Sequence, residues 1–300
     1  MSFPSLTQSE IDFFQENGYV GPFKVYEPSE AESILANVRI KNADRSNALY
    51  DNDVNYDRHF DISELSKHIC NPEIVGRIAS LVGPNVGCWR TEFLPKFPGA
   101  KGTEWHQTEL FKYASGMPQL LPTERDGDRP VELTAWVTFT PATKENGCMK
   151  FLAGSHTKFY YDEDSEATSG RGDIFSPVTS DTDFFGYNFS DFKIDADWEP
   201  DPAKTVAMEM KAGECVIFTS KCVHGSFPNT TTNSTRFAIT ARYVPTHVRV
   251  FPDQDDFVAH GGYFDLTDYG MVVVNGKDTY GHNRLRDTDN FGKPFLELAR

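Results

Sequence analysis

Apolar residues recur at helical spacing over residues 1–85, which we therefore expect to be helical. Thr7 and Glu10 have the spacing of a capping box, which predicts a first helix that begins directly after Thr7. Proline favours the first position of a helix, so a second helix is predicted from about Pro28 and a third from Pro72. The N-terminal part of the chain thus reads as a set of helices.

After residue 85 the period of the pattern changes to two. Residues 131–140 alternate for ten positions, which predicts a strand with two different faces. One face carries Val131, Leu133, Ala135, Val137 and Phe139, and the other carries Glu132, Thr134, Trp136, Thr138 and Thr140. Shorter strands are predicted at 147–152, 204–210, 214–219 and 235–244. Many short strands at such spacing indicate a mainly β (α+β) fold with a closed or double sheet and the helices packed outside.

The pattern predicts a single domain over residues 1–300, with a jelly-roll core at about 86–250. Residues from about 160 to 202 interrupt it with an acidic segment rich in Asp, Ser and Phe. Long segments of this kind are either active-site lids or plain surface excursions, and the sequence leaves both open.

Composition and charge exclude several classes of protein. Hydrophobic residues make up 39% of the chain, which is ample for a core, and the formal charge of −15 disfavours nucleic-acid and membrane-surface partners. The sequence has no apolar run of about 18 residues and no signal-peptide pattern at its start. Five scattered cysteines without a CxxC pair argue against a disulfide framework or zinc ribbon and favour a reducing cytoplasm.

Two of the eight histidines suggest a metal site. His106 follows a Pro/Gly-rich turn and His224 follows a predicted strand, and a jelly roll can bring such distant strand ends together. Arg236 and Arg242 are separated by an even offset on the next predicted strand, so both should lie on one face. Two histidines with open positions are typical of iron(II) oxygenases, and arginine suits a co-substrate carboxylate. A surface ion pair is the alternative for Arg236, and most other histidines are expected at the surface.

Several stretches resemble the phytanoyl-CoA dioxygenase superfamily, namely WRTEFLPKFPGAKGTEWHQ (89–107), KENGCMKFLAGSH (144–156) and CVIFTSKCVHGSFPN (215–229). Within it, NYDRHFD (55–61), the WHQ block and ARYVPTHVRVFPD (241–253) look most like the aliphatic halogenases of nonribosomal peptide assembly lines, of the syringomycin type. The resemblance extends over nearly the whole chain in matching order. It implies a double-stranded β-helix (cupin-like) that uses iron(II), 2-oxoglutarate and O₂.

The resemblance also implies roles for individual residues. His106 and His224 would ligate iron, and Arg236 would pair with the distal carboxylate of 2-oxoglutarate. Thr103 and Trp136 would line the 2-oxoglutarate pocket, Thr134 and Arg242 would belong to the network around the halide, and Tyr113 would stand near the iron, where the syringomycin-type enzyme has Asn.

The position two residues after His106 decides which chemistry the resemblance implies. Hydroxylases of the superfamily have Asp or Glu there, whereas halogenases have Ala or Gly, so that chloride takes the vacant ligand position. Thr108 is neutral and a poor substitute for an anionic ligand, which favours a halide, although its bulk could crowd the halide or hold a water. Glu109 is the alternative ligand, but adjacent side chains on extended backbone point to opposite faces.

The leading expectation is a halogenase with Fe(II), 2-oxoglutarate and chloride as cofactors and O₂ as co-substrate. It would chlorinate an unactivated carbon of an aminoacyl group that a phosphopantetheine thioester tethers to a peptidyl carrier protein. The alternative is a hydroxylase or related oxygenase with water or Glu109 in the third position. A non-catalytic binder and a zinc hydrolase are disfavoured, the first by the complete co-substrate site and the second by the missing third strong ligand.

Overall fold

The computed structural model describes residues 4–113, 115–124, 129–164, 189–260 and 262–298. Within these ranges the helices are α1 (Gln8–Asn17), α2 (Pro28–Asn42), α3 (Ser63–Ile69), α4 (Pro72–Val82) and α5 (Phe295–Leu298). The strands are β1 (Tyr19–Lys24), β2 (Val86–Lys96), β3 (Thr103–His106), β4 (Leu120–Pro122), β5 (Leu133–Thr138), β6 (Met149–Leu152), β7 (Thr205–Met208), β8 (Glu214–Phe218), β9 (His224–Ser226), β10 (Arg236–Pro245), β11 (Val248–Val250), β12 (Asp256–Ala259), β13 (Gly262–Asp265) and β14 (Val272–Asn275).

The strands form two main antiparallel sheets. The larger sheet has the order β1-β8-β5-β10-β2-β14, and the smaller has the order β3-β9-β6-β7. Side chains from both sheets pack in one cluster, with Trp136 and Val216 from the larger sheet and Phe151 and Met208 from the smaller. The fold is therefore the predicted jelly roll, a double-stranded β-helix in which the two sheets enclose a space between them.

Strand β5 shows why the alternating pattern predicted the architecture. Its apolar face, which includes Leu133 and Val137, belongs to the same core cluster as Ile74 and Ile78 of α4. The other face directs Trp136 toward the smaller sheet. The helices thus cover the outer face of the larger sheet, and the polar face of β5 lines the interior.

The helices predicted from Thr7, Pro28 and Pro72 are confirmed, but the chain between them is not all helical. The Thr7 side chain accepts a hydrogen bond from the Glu10 amide, and the Thr7 amide donates to the Glu10 carboxylate over 2.7 Å, which completes the capping box. Residues 1–85 are not purely helical, because β1 pairs with β8 at the edge of the larger sheet. The sheet also extends beyond residue 250, since β14 pairs with β2. That the chain forms one domain stays a prediction.

Two histidines expected at the surface are buried. His59 bonds through Nδ1 to the Thr91 hydroxyl over 3.0 Å, and His68 bonds through Nδ1 to the Tyr26 hydroxyl over 2.8 Å. Burial lowers the pKa of His59 to about 3 and that of His68 to about 4, so both rings are neutral at pH 7. The expectation failed because each hydrogen-bond partner is distant in sequence.

The predicted insertion at about 160–202 falls largely outside the described residues. Its described ends lie close to each other, because the Asp162 amide donates to the Phe192 carbonyl over 2.8 Å. All five cysteines are buried free thiols, as the absence of a CxxC pair predicted. No helix in the part of the chain that the structure describes is long and apolar enough to cross a membrane.

Candidate active site

The antiparallel pairing of β3 and β9 brings the two candidate metal ligands together. His106 ends β3, His224 begins β9, and the two residues are partners in the register, with ring centroids 4.2 Å apart. His106 Nδ1 donates to the Glu104 carbonyl over 2.9 Å, and His224 Nδ1 donates to the Cys222 carbonyl over 2.7 Å. Because carbonyl oxygens only accept, Nδ1 carries the proton in each ring, and Nε2 keeps the lone pair that a metal ion binds.

Both rings are neutral at physiological pH. Burial lowers the pKa of His106 to about 4 and lowers that of His224 well below its usual value, and the positive charge of Arg242 contributes to both shifts. A metal cation can therefore bind these histidines without first displacing a proton.

Thr108, at the predicted third-ligand position, is buried and engaged by the protein. Its hydroxyl oxygen accepts from the Phe111 amide over 3.1 Å. The Thr108 hydroxyl also opposes the rise that burial causes in the pKa of the Glu163 carboxyl group. Glu163 also accepts hydrogen bonds from the backbone amides of residues 109, 110 and 112. A buried carboxylate therefore holds the turn that follows His106.

Glu109 takes a different direction from the histidines. Its carboxylate forms an ion pair with Lys221 Nζ at 3.5 Å. Within the described ranges, no group of three or more His, Cys, Asp or Glu residues is arranged to hold a metal ion. Among the described residues the structure therefore gives His106 and His224 no carboxylate as a third member, and the identity of the third ligand stays a prediction.

Gln107, which the sequence analysis did not single out, joins the two histidine-bearing segments. Its Nε2 donates to the carbonyls of Lys158 over 2.7 Å and Lys221 over 2.6 Å, and its Oε1 accepts from the Tyr160 amide over 2.8 Å. The hydroxyl of Tyr113 donates to the Gln107 carbonyl over 2.8 Å, which places this predicted site residue beside His106. The available signal was an uncharged polar residue directly after a candidate metal ligand.

Gln107→Leu should lower the free energy of unfolding by about 3 kcal/mol, because three partly buried backbone groups would lose their partner at about 1 kcal/mol each. Urea unfolding of the metal-free protein measures the change. Gln15→Leu, at an exposed position of α1, is the matched control and should change stability by less than about 0.5 kcal/mol. Equal stability of the two variants would contradict the role of Gln107 in joining the two histidine-bearing segments.

Arg236 lies on the inner face of β10 and is only 3% exposed, so the surface ion pair considered for it is wrong. Its Nη1 donates to the Leu94 carbonyl over 2.7 Å and its Nε to the Gly147 carbonyl over 3.1 Å. Its guanidinium carbon lies 5.1 Å from the centroid of the Trp136 ring. Burial lowers the pKa of Arg236 to about 10, which leaves it charged at neutral pH.

The surroundings of Arg236 fit a carboxylate ligand. No Asp or Glu among the described residues forms an ion pair with Arg236, and the buried Trp136 Nε1 has no hydrogen-bond partner there. Nearby on the smaller sheet, the Ser226 hydroxyl donates to Thr103 Oγ1 over 2.8 Å. A buried cation and an indole N–H together are the donor set that the distal carboxylate of 2-oxoglutarate needs.

The same face of β10 places Arg242 with Thr134, as predicted. Arg242 donates to Thr134 Oγ1 over 2.9 Å and to Glu92 Oε2 over 3.0 Å. Glu132 lies 3.6 Å from Arg242 and accepts the Thr134 hydroxyl over 2.7 Å. The sequence analysis missed both carboxylates, because cross-strand register alone brings them to Arg242. They balance its charge inside the site.

Comparisons with known proteins agree with this geometry. A family model for phytanoyl-CoA dioxygenase (PhyH) matches residues 14–238. The solved structure of CytC3 with Fe(II) and alpha-ketoglutarate is 36% identical, with a TM-score of 0.76 over 98% of this chain and 97% of that chain. The non-heme monooxygenase ThoJ in its apo form is 22% identical, with a TM-score of 0.64 over 93% of this chain and 89% of that chain, a likeness in fold alone.

A curated relative from Dictyostelium discoideum, a phytanoyl-CoA dioxygenase domain-containing protein 1 homolog, is 33% identical over 128 residues. That match spans 41% of this chain and only 38% of the relative's length. The family model itself covers well over half of this chain, including both histidines and Arg236. The chain therefore belongs to the phytanoyl-CoA dioxygenase family, within the superfamily of iron(II)/2-oxoglutarate-dependent oxygenases.

Proposed function

We propose that the protein is an iron(II)- and 2-oxoglutarate-dependent halogenase that chlorinates an unactivated carbon. One observation carries the proposal: two neutral histidines share a site in which Thr108 stands where hydroxylases of the superfamily have a carboxylate. The likeness over nearly the whole chain to CytC3, solved with Fe(II) and alpha-ketoglutarate, supports the two cofactors.

Iron(II) would be held by Nε2 of His106 and Nε2 of His224. The Thr108 hydroxyl brings no negative charge, and its oxygen already accepts a hydrogen bond from the Phe111 amide. A divalent cation with two neutral ligands still needs anionic partners, and 2-oxoglutarate supplies only some of them. Chloride from solution is the anion that we propose for the remaining position.

2-Oxoglutarate would be anchored by Arg236 and Trp136, with Thr103 at the edge of its pocket. The Arg236 guanidinium offers a charged, planar donor set that binds a carboxylate with two parallel hydrogen bonds. Because Arg236 is buried without an internal carboxylate among the described residues, an incoming carboxylate would relieve the cost of its unpaired charge.

Together with O₂, the bound iron and 2-oxoglutarate supply an oxidant that removes a hydrogen atom from an unactivated carbon. The protein's own contribution is placement and the exclusion of water. Phe189 stacks on the His106 ring at 4.5 Å, and Tyr113 packs edge-on against Phe189 at 5.7 Å. This aromatic wall would exclude water from the reacting carbon and hold that carbon in place.

For the substrate we propose an aminoacyl group carried by a phosphopantetheine thioester on a peptidyl carrier protein. The resemblance to halogenases of nonribosomal peptide synthesis supports this class. Carrier proteins are usually acidic. Here Lys221 Nζ lies 4.5 Å from the ring centroid of Phe159, which is 42% exposed, and Lys158 Nζ lies 4.5 Å from that of the neighbouring Tyr160. Gln107 bonds to the carbonyls of both lysines, which connects this small basic and apolar surface to β3. A cytoplasmic location fits five free thiols.

Hydroxylation with the same cofactors is the second candidate, and the hydroxyl of Thr108 supports it because a hydroxyl can hold a water where chloride would bind. Glu109 is a weaker third ligand than the sequence allowed, since it pairs with Lys221.

An anaerobic titration separates these functions without any knowledge of the substrate. The protein is mixed with iron(II) and 2-oxoglutarate, the visible charge-transfer band of the chelate is recorded, and sodium chloride is added against sodium sulfate at equal ionic strength. A band that shifts saturably with chloride is the expected result. A band indifferent to chloride would overturn halogenation in favour of hydroxylation, and no band at all would overturn both.

A further inference from the structure

A second buried arginine lies on the same inner face of the larger sheet. Arg90 of β2 is the register partner of Arg242 on β10 and is 3% exposed. The register then pairs Cys88 with Tyr243 and leaves out Trp89, so β2 bulges at this point. The bulge places the Trp89 ring beside the Arg90 guanidinium, 4.5 Å from its carbon.

The donors of Arg90 outnumber the acceptors around them. Its Nη1 donates to Gln119 Oε1 over 2.9 Å. Among the residues that the structure describes, Arg90 Nε, Arg90 Nη2 and Gln119 Nε2 are buried without a hydrogen-bond partner, and so is Trp89 Nε1. Buried donors that lack an acceptor are rare in folded proteins, and a group of them around one positive charge indicates a missing acceptor.

The charge of Arg90 is surrounded by aromatic rings. The centroids of Tyr56, Trp89, Phe251 and Phe257 lie between 4.5 and 5.5 Å from its guanidinium carbon. These ring faces stabilise a cation, but they are poor acceptors for N–H groups. No ion pair joins Arg90 to an Asp or Glu within the described ranges.

Two carboxylates interact with Arg90 through space, yet both are bonded to other groups. Asp57 accepts from the Thr91 amide over 3.0 Å and from the Tyr50 hydroxyl over 3.2 Å. Glu92 accepts from Arg242 over 3.0 Å. Neither carboxylate therefore supplies the acceptor that the donors of Arg90 and Gln119 lack.

We propose that Arg90 and Gln119 form a binding site for one small monovalent anion, a halide or the carboxylate group of a substrate. The site is separate from the histidine pair and from the Arg236 pocket. It lies one strand beyond Arg242 on the face that lines the barrel interior. A halide there would be held close to the reaction centre, and a carboxylate there would anchor an acidic substrate. Because its donors need neither iron nor 2-oxoglutarate, the site can be tested apart from the proposed halogenase activity.

Bromide quenching of tryptophan fluorescence in metal-free protein tests this site directly. Trp89 is fully buried, so bromide reaches it only by entering the space around Arg90 and its aromatic rings. Sodium bromide is titrated against sodium sulfate at constant ionic strength, and a saturable quenching component is expected. Trp89→Phe should remove that component, and Arg236→Met should leave it in place, which separates it from quenching near Trp136.

The variants of Arg90 and Gln119 carry the quantitative test. Arg90→Met should weaken bromide binding at least about tenfold, since a charged donor is lost, and Gln119→Leu should weaken it by several-fold without changing the charge. Gln119→Leu keeps the test decisive if Arg90→Met fails to fold. Arg249→Met, which removes an arginine paired with Asp253 at the surface, is the matched control and should bind bromide as the unchanged protein does.

Sodium acetate distinguishes the two sources of the anion. Displacement of bromide by acetate, together with a rise in Tm that Arg90→Met loses, would identify a site open to carboxylates. Saturable quenching that acetate does not reverse would identify a halide site. Quenching that is linear in bromide and the same in all variants, with no effect of acetate on Tm, would overturn the proposal. Arg90 would then be a buried cation stabilised by the surrounding aromatic rings alone.

Discussion

Arg236→Met is expected to raise the concentration of 2-oxoglutarate that half-saturates the charge-transfer band by about 100-fold or more. Each charge-assisted hydrogen bond to a carboxylate contributes roughly 1.5–3 kcal/mol, and methionine would remove two of them. Since about 1.4 kcal/mol corresponds to a factor of ten, the loss amounts to at least two orders of magnitude. An anaerobic titration of 2-oxoglutarate at fixed iron(II) measures it.

Two further variants serve as comparisons for the affinity measured with Arg236→Met. Arg236→Lys keeps the charge but loses the paired donors, so its affinity should fall between those of the unchanged protein and Arg236→Met. Arg249→Met removes an exposed arginine and should leave the titration unchanged. Unaltered affinity in Arg236→Met would show that another group holds the distal carboxylate, and the pocket formed with Trp136 would have to be reassigned.

Thr108→Asp is expected to abolish the response of the charge-transfer band to chloride. An aspartate two residues after His106 would supply the negative charge that the third position lacks, and the bound carboxylate would exclude the halide from it. Thr108→Ala removes the hydroxyl and adds no charge, so chloride should still shift the band. The pair of variants tests whether this position selects the anion.

The charge of Glu163 affects the result expected for Thr108→Asp. The Thr108 hydroxyl interacts with the Glu163 carboxyl group closely enough to lower its pKa, so an aspartate at position 108 would bring two carboxylates together. Thr108→Asp combined with Glu163→Gln relieves that repulsion and should retain iron more tightly than Thr108→Asp alone. A saturable chloride response in either aspartate variant would contradict the assignment of Thr108 to the third position.

Local signals predicted the elements that depend on neighbouring residues. The capping box at Thr7 and the prolines that open α2 and α4 act within one turn, so sequence spacing reveals them. β1 escaped prediction because its partner β8 lies almost two hundred residues away. Its sequence carries no alternation that distinguishes it from the helices on either side.

In the site, too, features set by neighbouring residues were predictable and features set by distant residues were not. His106 and His224 were identifiable from their motifs, and the even offset of Arg236 and Arg242 predicted their shared face. The role of Glu163 was not predictable, because it accepts hydrogen bonds from backbone amides, which have no sequence signature. The surroundings of Arg90 were equally unpredictable, since they depend on a bulge and on three rings from other parts of the chain, those of Tyr56, Phe251 and Phe257.

The position of β3 at the edge of the smaller sheet has a consequence for the life of the protein in the cell. Among the described residues β3 pairs with β9 alone, and its register shifts between Thr103 and His106. A metal ion bound by His106 and His224 would link β3 to β9 and stabilise their pairing. Without the metal, the strand would detach more easily and expose a pairing edge to proteases and to other chains. Iron supply would then govern how long the enzyme survives as well as how fast it works.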